Sequence, residues 1–359
     1  MSGFPYTLQT GDELRAAMNK FSDQGKAFFV LISYDTTSGY CIPIDEIDER
    51  WIRFQFDRGA RWRNEAGFCG MSDDSHVQPK PFHSGPSISE NNDSSTSFVN
   101  DWKVLPVSID EYRQRFDKVK QHLKRGNTFL VNLTQPSRVQ TSATLAELYV
   151  RARAPYKVWL RDQLVCFSPE CFVTIADGEI RTFPMKGTLD ASLPDARNQL
   201  LENEKEKAEH ATIVDLLRND LSMVASGVEV TRYRYVDRIK THRGDLLQVS
   251  SELCGRLPDD YRTRLGDIVF AMLPAGSICG APKARTLEVI REAEGYKRGF
   301  YTGIGGYFDG DTFDSAVLIR YMEQTTDGYV FKSGGGITFR SDMEKEYQEL
   351  IQKVYVPVE

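Results

Sequence analysis

Residues 171–190, CFVTIADGEIRTFPMKGTLD, decide much of the fold. Apolar and polar residues alternate on both sides of Asp177-Gly178, a dipeptide that favours the tight turn of a β-hairpin. The hairpin places Glu170 just before one strand and Lys186 just beyond its partner. A solvated surface lysine is the usual interpretation of this residue type. In this apolar setting, however, Lys186 is a candidate nucleophile and Glu170 a plausible base.

Helices flank this hairpin on both sides. Upstream, SIDEYRQRFDKVKQHLKRG has apolar residues at helical spacing, with Ser108 and Glu111 as a capping box and Gly126 as a stop, followed by the strand-like TFLVNLTQ. Downstream, a box from Ser192 to Asp195 predicts a long helix that contains NEKEKAEHATIVDLLRNDL. Hairpins with few βαβ-like units favour an α+β fold over a doubly wound parallel sheet.

The last helix carries charges on one side and apolar residues on the other. Ser341 is the predicted N-cap and Glu344 completes its capping box. Glu346, Glu349 and Lys353 share one face of EKEYQELIQKV. The opposite, apolar side consists of Tyr347, Leu350, Ile351 and Val354.

The N-terminal part is predicted to be a small strand-rich region. AFFVLISY and WIRFQFDR are short β-branched and aromatic runs that favour strands. Residues 71–100, with SGPSISENNDSSTS at their centre, are too polar and irregular to be buried and predict a long exposed loop. We therefore divide the chain into residues 1–100 and a larger domain at 101–359.

Composition excludes several classes of function. The net charge of −6 gives no general attraction for nucleic acid or an anionic membrane. No secretory signal and no apolar run of bilayer length is visible, so we expect a cytoplasmic protein. Six cysteines lack CxxC or zinc-ligand spacing and are expected to be free thiols: Cys41, Cys69, Cys166, Cys171, Cys254 and Cys279.

Carboxylates and glycines mark candidate binding segments. Most carboxylates on helices form a solvated face, but Glu209 precedes the apolar HATIVDLL, and Glu346 and Glu349 follow a run of three glycines. Such oxygen ligands, together with an anionic substrate, suit Mg²⁺. The glycine-rich PAGSICGAPKAR and the triple glycine could each approach an anion through backbone N–H groups. A phosphate-binding loop is disfavoured because Lys283 does not directly follow Gly280.

Seven segments occur in the order found in a known family: SPECF, PMKGT, AEHATIVDLLRNDL, PAGSICGAPKAR, YTGIGGYF, VLIRYM and GGGITFRSDMEKEYQELIQK. The chain resembles the chorismate-utilising enzymes over roughly residues 105–355. The resemblance implies an α+β catalytic domain with an antiparallel β-sandwich core and surrounding helices. It also implies that chorismate binds with Mg²⁺ at its ring carboxylate.

The resemblance assigns roles to individual residues. Glu209 and Glu349 match direct metal ligands, and Glu346 matches a ligand that acts through water. Glu170 occupies the position of the general acid/base. The substrate carboxylates would be held by Arg320, Lys353 and the backbone of Gly335 and Gly336, and the pocket would be lined by Thr188, Ser277 and Gly303.

The third residue of the PxxGT motif separates the branches of this family. It is alanine in the anthranilate, isochorismate and salicylate synthases but lysine in aminodeoxychorismate synthases, and here it is Lys186. Leu130 stands where the water-adding members have a lysine, and leucine cannot act as a base. The resemblance therefore implies amination at C4: Lys186 attacks C2 with loss of the C4 hydroxyl, and ammonia then displaces the lysine.

Some features depart from the family or leave alternatives open. Gln248 stands near the place of a family histidine, and the segment that forms the usual tryptophan site is not found. The chain has no glutaminase segment, so a partner amidotransferase would supply ammonia for para-aminobenzoate and folate synthesis. An anthranilate synthase with an atypical lysine is a second interpretation. A chorismate-binding scaffold subunit without activity is a third.

Overall fold

Two antiparallel sheets form the centre of the protein. The structure is a computed structural model that describes residues 3–56, 101–239 and 245–358. Within these ranges every strand pair is antiparallel. This arrangement confirms the predicted α+β class, because parallel βαβ units would give parallel pairs.

Strands and helices are numbered along the chain. The first sheet has ten strands in the order β1 (Gln9–Thr10), β3 (Ser38–Pro43), β2 (Phe28–Ile32), β15 (Ile304–Phe308), β16 (Phe313–Val317), β9 (Cys171–Ala176), β10 (Glu179–Thr182), β13 (Leu246–Arg256) and β11 (Met185–Asp190), with β12 (Ser226–Ile239) also paired to β13. The second sheet has eight, in the order β14 (Gly280–Ala281), β6 (Leu130–Gln140), β18 (Gly328–Thr338), β17 (Tyr321–Thr325), β8 (Leu164–Ser168), β7 (Tyr156–Leu160) and β4 (Ile52–Phe56), with β5 (Lys103–Leu105) beside β6. The helices are α1 (Gly11–Asp23), α2 (Ile109–Lys124), α3 (Leu145–Arg151), α4 (Ala196–Glu202), α5 (Glu204–Ser222), α6 (Leu265–Met272), α7 (Lys283–Glu294) and α8 (Met343–Gln352).

The sheets pack face to face, and helices cover their outer faces. Phe29 and Leu31 of β2 share a buried cluster with Val158 of β7 and Cys166 of β8. The outer face of the first sheet packs against α1, α5 and α6. The outer face of the second sheet packs against α2, α7 and α8 at one end and against α3 at the other. Burial of these apolar faces is the main driving force for this layered arrangement.

The hairpin predicted from residues 171–190 is present. Strands β9 and β10 pair around Asp177 and Gly178, which both have the positive φ that a two-residue turn of this type needs. The predicted strands at AFFVLISY, WIRFQFDR and TFLVNLTQ correspond to β2, β4 and β6. The Ser108 hydroxyl accepts from the N–H of Glu111 and thereby caps α2 as predicted.

Two of the predicted helix starts are wrong. The helix predicted to begin with the Ser192 box is split into α4 and α5, and Ser192 bonds to Asp190 instead. Asn203 caps α5 by accepting from two backbone N–H groups. At the last helix, Asp342 is the N-cap, because the Ser341 hydroxyl accepts from the N–H of Thr338.

Strands from both ends of the chain share both sheets. In the first sheet, β2 pairs with β15, and in the second, β4 pairs with β7. The predicted loop at residues 71–100 lies outside the described residues, as does Cys69. The other five cysteines form no disulfide. Of the helices described, none is long and apolar enough to cross a membrane.

Candidate active site

A cavity of about 410 Å³ lies where the ends of β6, β11 and β18 meet α5 and α8. Its wall contains every residue that the sequence analysis assigned to catalysis, substrate binding or metal binding, except Gly303. These residues are Lys186, Glu170, Thr188, Ser277, Arg320, Gly335, Gly336, Lys353, Glu209, Glu346 and Glu349. The fold therefore brings together side chains that are up to 183 positions apart in the sequence, from Glu170 to Lys353.

Lys186 lies inside this cavity rather than on an open surface. It belongs to β11, and the bulge at Gly187, with φ of 77°, interrupts the pairing of β11 with β13 directly after it. The Lys186 side chain is 33% exposed, and its Nζ lies 3.2 Å from Oε2 of Glu209 on α5. A lysine amine is a nucleophile only when it is unprotonated.

Glu170 lines the cavity beside the start of β9. Its Oε1 accepts a hydrogen bond of 2.6 Å from the hydroxyl of Ser277, and its N–H donates to Ser168. Burial raises the pKa of Glu170, while the Ser277 hydrogen bond and nearby cations oppose that shift. A carboxyl with a raised pKa can exchange protons with a bound molecule near neutral pH, which suits a general acid/base.

Arg320 supplies a cation without a carboxylate partner. Its guanidinium lies 5.1 Å from the centre of the Tyr355 ring. In the part of the chain that the structure describes, no carboxylate is within ion-pair distance of Arg320, and its buried Nε has no hydrogen-bond partner. A buried donor of this kind is costly unless a ligand satisfies it. A substrate carboxylate would fit this requirement.

Lysines accompany two of the three predicted metal ligands. Glu209 contacts Lys186 at 3.2 Å and Lys205 at 3.6 Å. Oε1 of Glu349 lies 2.7 Å from Nζ of Lys353, which also donates to the carbonyl of Gly334. Although burial opposes the shift, Lys353 lowers the pKa of Glu349. Glu346 differs, because burial and the adjacent Glu349 raise its pKa.

Gly335 keeps open the space in front of these carboxylates. A Cβ at this residue would lie 3.5 Å from both Glu346 Oε2 and Glu349 Oε1, and 3.7 Å from Lys353 Nζ. Strand β18 pairs with β6 as far as Thr338, but its pairing with β17 ends at Lys332. Alternate N–H groups of Gly334 to Gly336 are therefore free of strand pairing on the cavity side and are available to an anion, while the carbonyl of Gly334 accepts from Lys353.

The three predicted ligands are chemically suited to Mg²⁺, but their carboxylates do not converge on a single metal position. Carboxylate oxygens are the ligands that Mg²⁺ prefers, and the three predicted ligands all line the cavity, as do Glu170 and Glu206. Among the described residues, no group of three His, Cys, Asp or Glu side chains is close enough to hold a metal ion. Lysine contacts occupy Glu209 and Glu349, so a bound cation would have to compete with these ion pairs.

Gly303 has a structural role that differs from its predicted one. It does not line the cavity. Its N–H donates to the carbonyl of Phe300, and its own carbonyl accepts from Leu318, so neither group is free for a ligand. A Cβ at Gly303 would lie 2.1 Å from the carbonyl oxygen of Ile32. Glycine is therefore required here for close packing of the chain onto β2.

Other lining residues were not assigned by the sequence analysis. Lys205, Asn132 and Lys332 line the cavity, and Lys205 could have been found from its helical spacing of four to Glu209. Gln248, noted in place of a family histidine, lines the cavity and pairs with Thr188 across β11 and β13. Leu130, which the resemblance matched to a water-activating lysine of other members, also lines the cavity.

Comparisons with known proteins identify the family of the chain. Residues 61–359 match the family described as chorismate binding enzyme. A Haemophilus influenzae protein named uncharacterized PabA-like protein is 54% identical over 71% of this chain and 77% of its own length. A Pasteurella multocida protein named PabA-like protein PM1464, also uncharacterized, is 44% identical over 95% of this chain and 97% of its own length. Aminodeoxychorismate synthase component 1 of Bacillus subtilis is 32% identical over 70% of this chain and 56% of that protein.

A solved structure gives the same result for the fold. The crystal structure of anthranilate synthase component I from Streptococcus pneumoniae superposes with a TM-score of 0.62 at 28% identity, over 72% of this chain and 60% of that one. Together with the matched residues 61–359, this shows that the chain belongs to the chorismate-binding enzyme family. It is an α+β enzyme of the kind that acts on chorismate.

Proposed function

We propose that the protein aminates chorismate at C4 to give 4-amino-4-deoxychorismate, a precursor of para-aminobenzoate and folate. The observation that carries this proposal is the position of Lys186, which lines the cavity and whose amine lies 3.2 Å from Glu209. Lysine at this place of the PxxGT motif is the feature that the aminodeoxychorismate branch shares. The relative from Bacillus subtilis, which is named as such a synthase, adds support at 32% identity.

The proposed reaction consists of two displacements. Lys186 Nζ forms a bond to ring C2 while the ring double bonds shift and the C4–O bond breaks. Glu170 donates the proton with which the C4 hydroxyl leaves as water. Ammonia then forms a bond to C4, the C2–Nζ bond breaks, and the lysine amine is regenerated. The C4 substituent changes from hydroxyl to amine with retained stereochemistry.

Substrate binding rests on cations and backbone donors around the cavity. Arg320 and Lys353 would bind the two carboxylates of chorismate, assisted by the backbone of Gly335 and Gly336. Thr188 and Ser277 would line the ring site. Glu209, Glu346 and Glu349 would hold Mg²⁺, which when bound neutralises and orients a substrate carboxylate. We propose a cytoplasmic location and a separate glutamine amidotransferase subunit as the source of ammonia.

The decisive experiment identifies the product and the covalent residue. Chorismate, Mg²⁺ and an ammonium salt are incubated with the protein, and the product is analysed by mass. We expect Lys186→Ala to bind chorismate but to lose amination by about a thousandfold or more, because the attacking group is gone. Wild-type protein given chorismate without ammonia should carry a mass adduct on the peptide that holds FPMKGT.

Lys205→Ala provides the matched control. It removes the second lysine in contact with Glu209 but leaves the proposed nucleophile intact. This variant should still aminate chorismate and form the adduct. Normal amination by Lys186→Ala would show that the covalent route is wrong.

A second candidate is direct attack of ammonia on chorismate to give the ortho-aminated product and pyruvate. The likeness to anthranilate synthase component I at 28% identity favours this alternative. Release of pyruvate in the same incubation would identify it. Chorismate binding without any turnover would identify the third possibility, an inactive scaffold subunit.

A further inference from the structure

Ser277 lies on a short turn that its own backbone holds weakly. The turn Gly276–Ile278 has hydrogen bonds of 3.3 Å from the Ile278 N–H to Ala275 and of 3.4 Å from the Cys279 N–H to Gly276. Bonds of this length are at the weak end of the normal range. Yet Ser277 must be placed accurately to donate its 2.6 Å bond to Glu170. Other groups must therefore fix the turn.

One ion pair, between the buried Asp220 and the partly exposed Lys283, fixes the residue before Ser277. Oδ2 of Asp220, on α5, accepts a 2.8 Å bond from the N–H of Gly276. Its Oδ1 lies 2.6 Å from Nζ of Lys283, which also donates to the carbonyl of Met272. A Cβ at Gly276 would lie 2.8 Å from Asp220 Oδ2, so only glycine permits this approach. Asp220 is 3% exposed.

A second ion pair fixes the residue after Ser277. Nη1 of Arg298 donates a 3.0 Å bond to the carbonyl of Ile278. The same guanidinium binds both carboxylate oxygens of Glu294 at 2.6 and 2.9 Å. Oε1 of Glu294 in turn accepts from the N–H of Thr134 on β6, and Nη2 of Arg298 donates to the carbonyl of Asn132. The turn is thereby tied to the strand that forms the cavity floor.

We infer that the pairs Asp220–Lys283 and Glu294–Arg298 are positioning residues that hold Ser277 from both sides, so that its hydroxyl orients Glu170 for proton transfer. This inference rests on the proposed role of Glu170. Buried ion pairs add little net stability relative to apolar side chains, so placing two pairs with buried carboxylates beside one turn is better explained by specific geometry. Each carboxylate directly or indirectly fixes a backbone group adjacent to Ser277.

The test is a double-mutant cycle with Ser277→Ala, Asp220→Asn and their combination. Asparagine keeps an oxygen for the Gly276 N–H but removes the charge that holds Lys283. We expect each single variant to lower kcat by about ten- to a hundredfold and to change KM for chorismate by less than about threefold. Because Asp220 acts through Ser277, the double variant should be no slower than Ser277→Ala alone.

The pH dependence of kcat distinguishes a positioning role from a purely structural one, because loss of stability alone would not shift it. Groups that face Glu170 are Ser277, Lys186, Arg320 and Lys353. The Ser277 bond stabilises the ionised carboxylate, so its loss raises the pKa of Glu170. The limb of the profile governed by Glu170 should therefore move to higher pH in Ser277→Ala and, in the same direction, in Asp220→Asn and Glu294→Gln.

Two further variants keep the test decisive. Asp220→Asn combined with Lys283→Met replaces Asp220→Asn if the unpaired lysine prevents folding. Glu252→Gln, which breaks the buried pair with Arg181 away from the cavity, is the control. It should lower the midpoint of thermal unfolding without moving the pH limb.

Multiplicative losses of Ser277→Ala and Asp220→Asn, or an unmoved pH limb, would overturn the inference. The cycle is read from the consumption of chorismate, whatever product forms. The identity of the wild-type product therefore decides the proposed amination separately.

Discussion

At the scale of single residues, the cavity is defined by how its charges are paired. Glu209 contacts two lysines and Glu349 contacts one. No lysine or arginine of the described residues lies within ion-pair distance of Glu346, which is only 8% exposed. Burial raises the pKa of Glu346, and Lys205 opposes this shift only from beyond ion-pair distance. A cation bound beside this carboxylate would stabilise its ionised form. A Mg²⁺ ion bound among Glu209, Glu346 and Glu349 would offset this unpaired charge.

We predict that Glu209→Gln raises the Mg²⁺ concentration needed for half-maximal activity by about tenfold or more, because one charged oxygen ligand is lost. Activity is titrated against Mg²⁺ at saturating chorismate. Glu204→Gln is the matched control, since Glu204 lies on the same helix α5 but is exposed and does not line the cavity. An unchanged titration curve for Glu209→Gln would remove Glu209 from the metal site.

The sequence was a good guide to which residues meet in the cavity and a poor one to how they contact each other. Motif order predicts Glu170 and Lys186 as cavity residues, and they are. The ion pair between Lys186 and Glu209 depends on the approach of α5 to β11, which no local pattern contains. For the same reason, the packing of Gly303 against Ile32 could not be distinguished from a lining role.

At the scale of elements, α8 carries two of the charged cavity residues, Glu346 and Glu349, and a third, Lys353, is its C-cap. Asp342 caps it by accepting from the N–H of Lys345. Sequence patterns placed this cap one residue earlier, because Ser341 and Asp342 are both good capping residues. In the turn after β18, the Ser341 hydroxyl accepts from the N–H of Thr338. Asp342 is therefore the residue that caps α8.

We predict that Asp342→Ala destabilises the protein by about 1 kcal/mol and also weakens Mg²⁺-dependent chorismate binding, since fraying of α8 disorders Glu346 and Glu349. Urea unfolding gives the first quantity, and KM for chorismate at several Mg²⁺ concentrations gives the second. Thr10→Ala removes the comparable cap of α1, which packs against α6, and should affect stability alone. Equal losses of binding in both variants would mean that α8 has no special role.

The split between α4 and α5 illustrates a second limit of local patterns. Ser192-Leu-Pro-Asp195 resembles a capping box, but Asp195 has φ of 54° and makes no capping bond. The helical pattern of apolar residues continues past Asn203, but the Asn203 side chain accepts from the N–H groups of Lys205 and Glu206 and so caps a separate helix, α5. Because α5 starts at Glu204, its first turns carry Lys205 and Glu209 to the cavity wall.

At the scale of the whole molecule, strands of both sheets line the cavity, and under the proposed function a separate subunit would supply ammonia to it. The alternation in residues 171–190 predicted an antiparallel architecture correctly, because hairpin signals are local. The order of strands in each sheet was not predictable, since neighbours such as β2 and β15 are paired by burial of long-range apolar faces.

We predict that ammonium salts support turnover by the isolated chain, whereas glutamine supports it only after an amidotransferase subunit is added. The reason is that ammonia itself attacks C4 in the proposed reaction, and no glutaminase motif is recognised in this sequence. Product formation is compared with each nitrogen source before and after addition of the subunit. Glutamine-dependent turnover by the rigorously purified chain would contradict this division of labour.

The pairing of β2 with β15 also has a consequence for how the protein is made. All five residues of β2 are buried, and β3 is its only neighbour until Ile304 to Phe308 arrive, about 270 residues later. At a translation rate of about 5–20 residues per second, one edge of this apolar strand has no pairing partner for roughly 15 to 55 seconds of synthesis. During synthesis the nascent chain therefore exposes the unpaired edge of an apolar strand, which we expect chaperones to shield. Truncated products that end before residue 304 should aggregate through this edge.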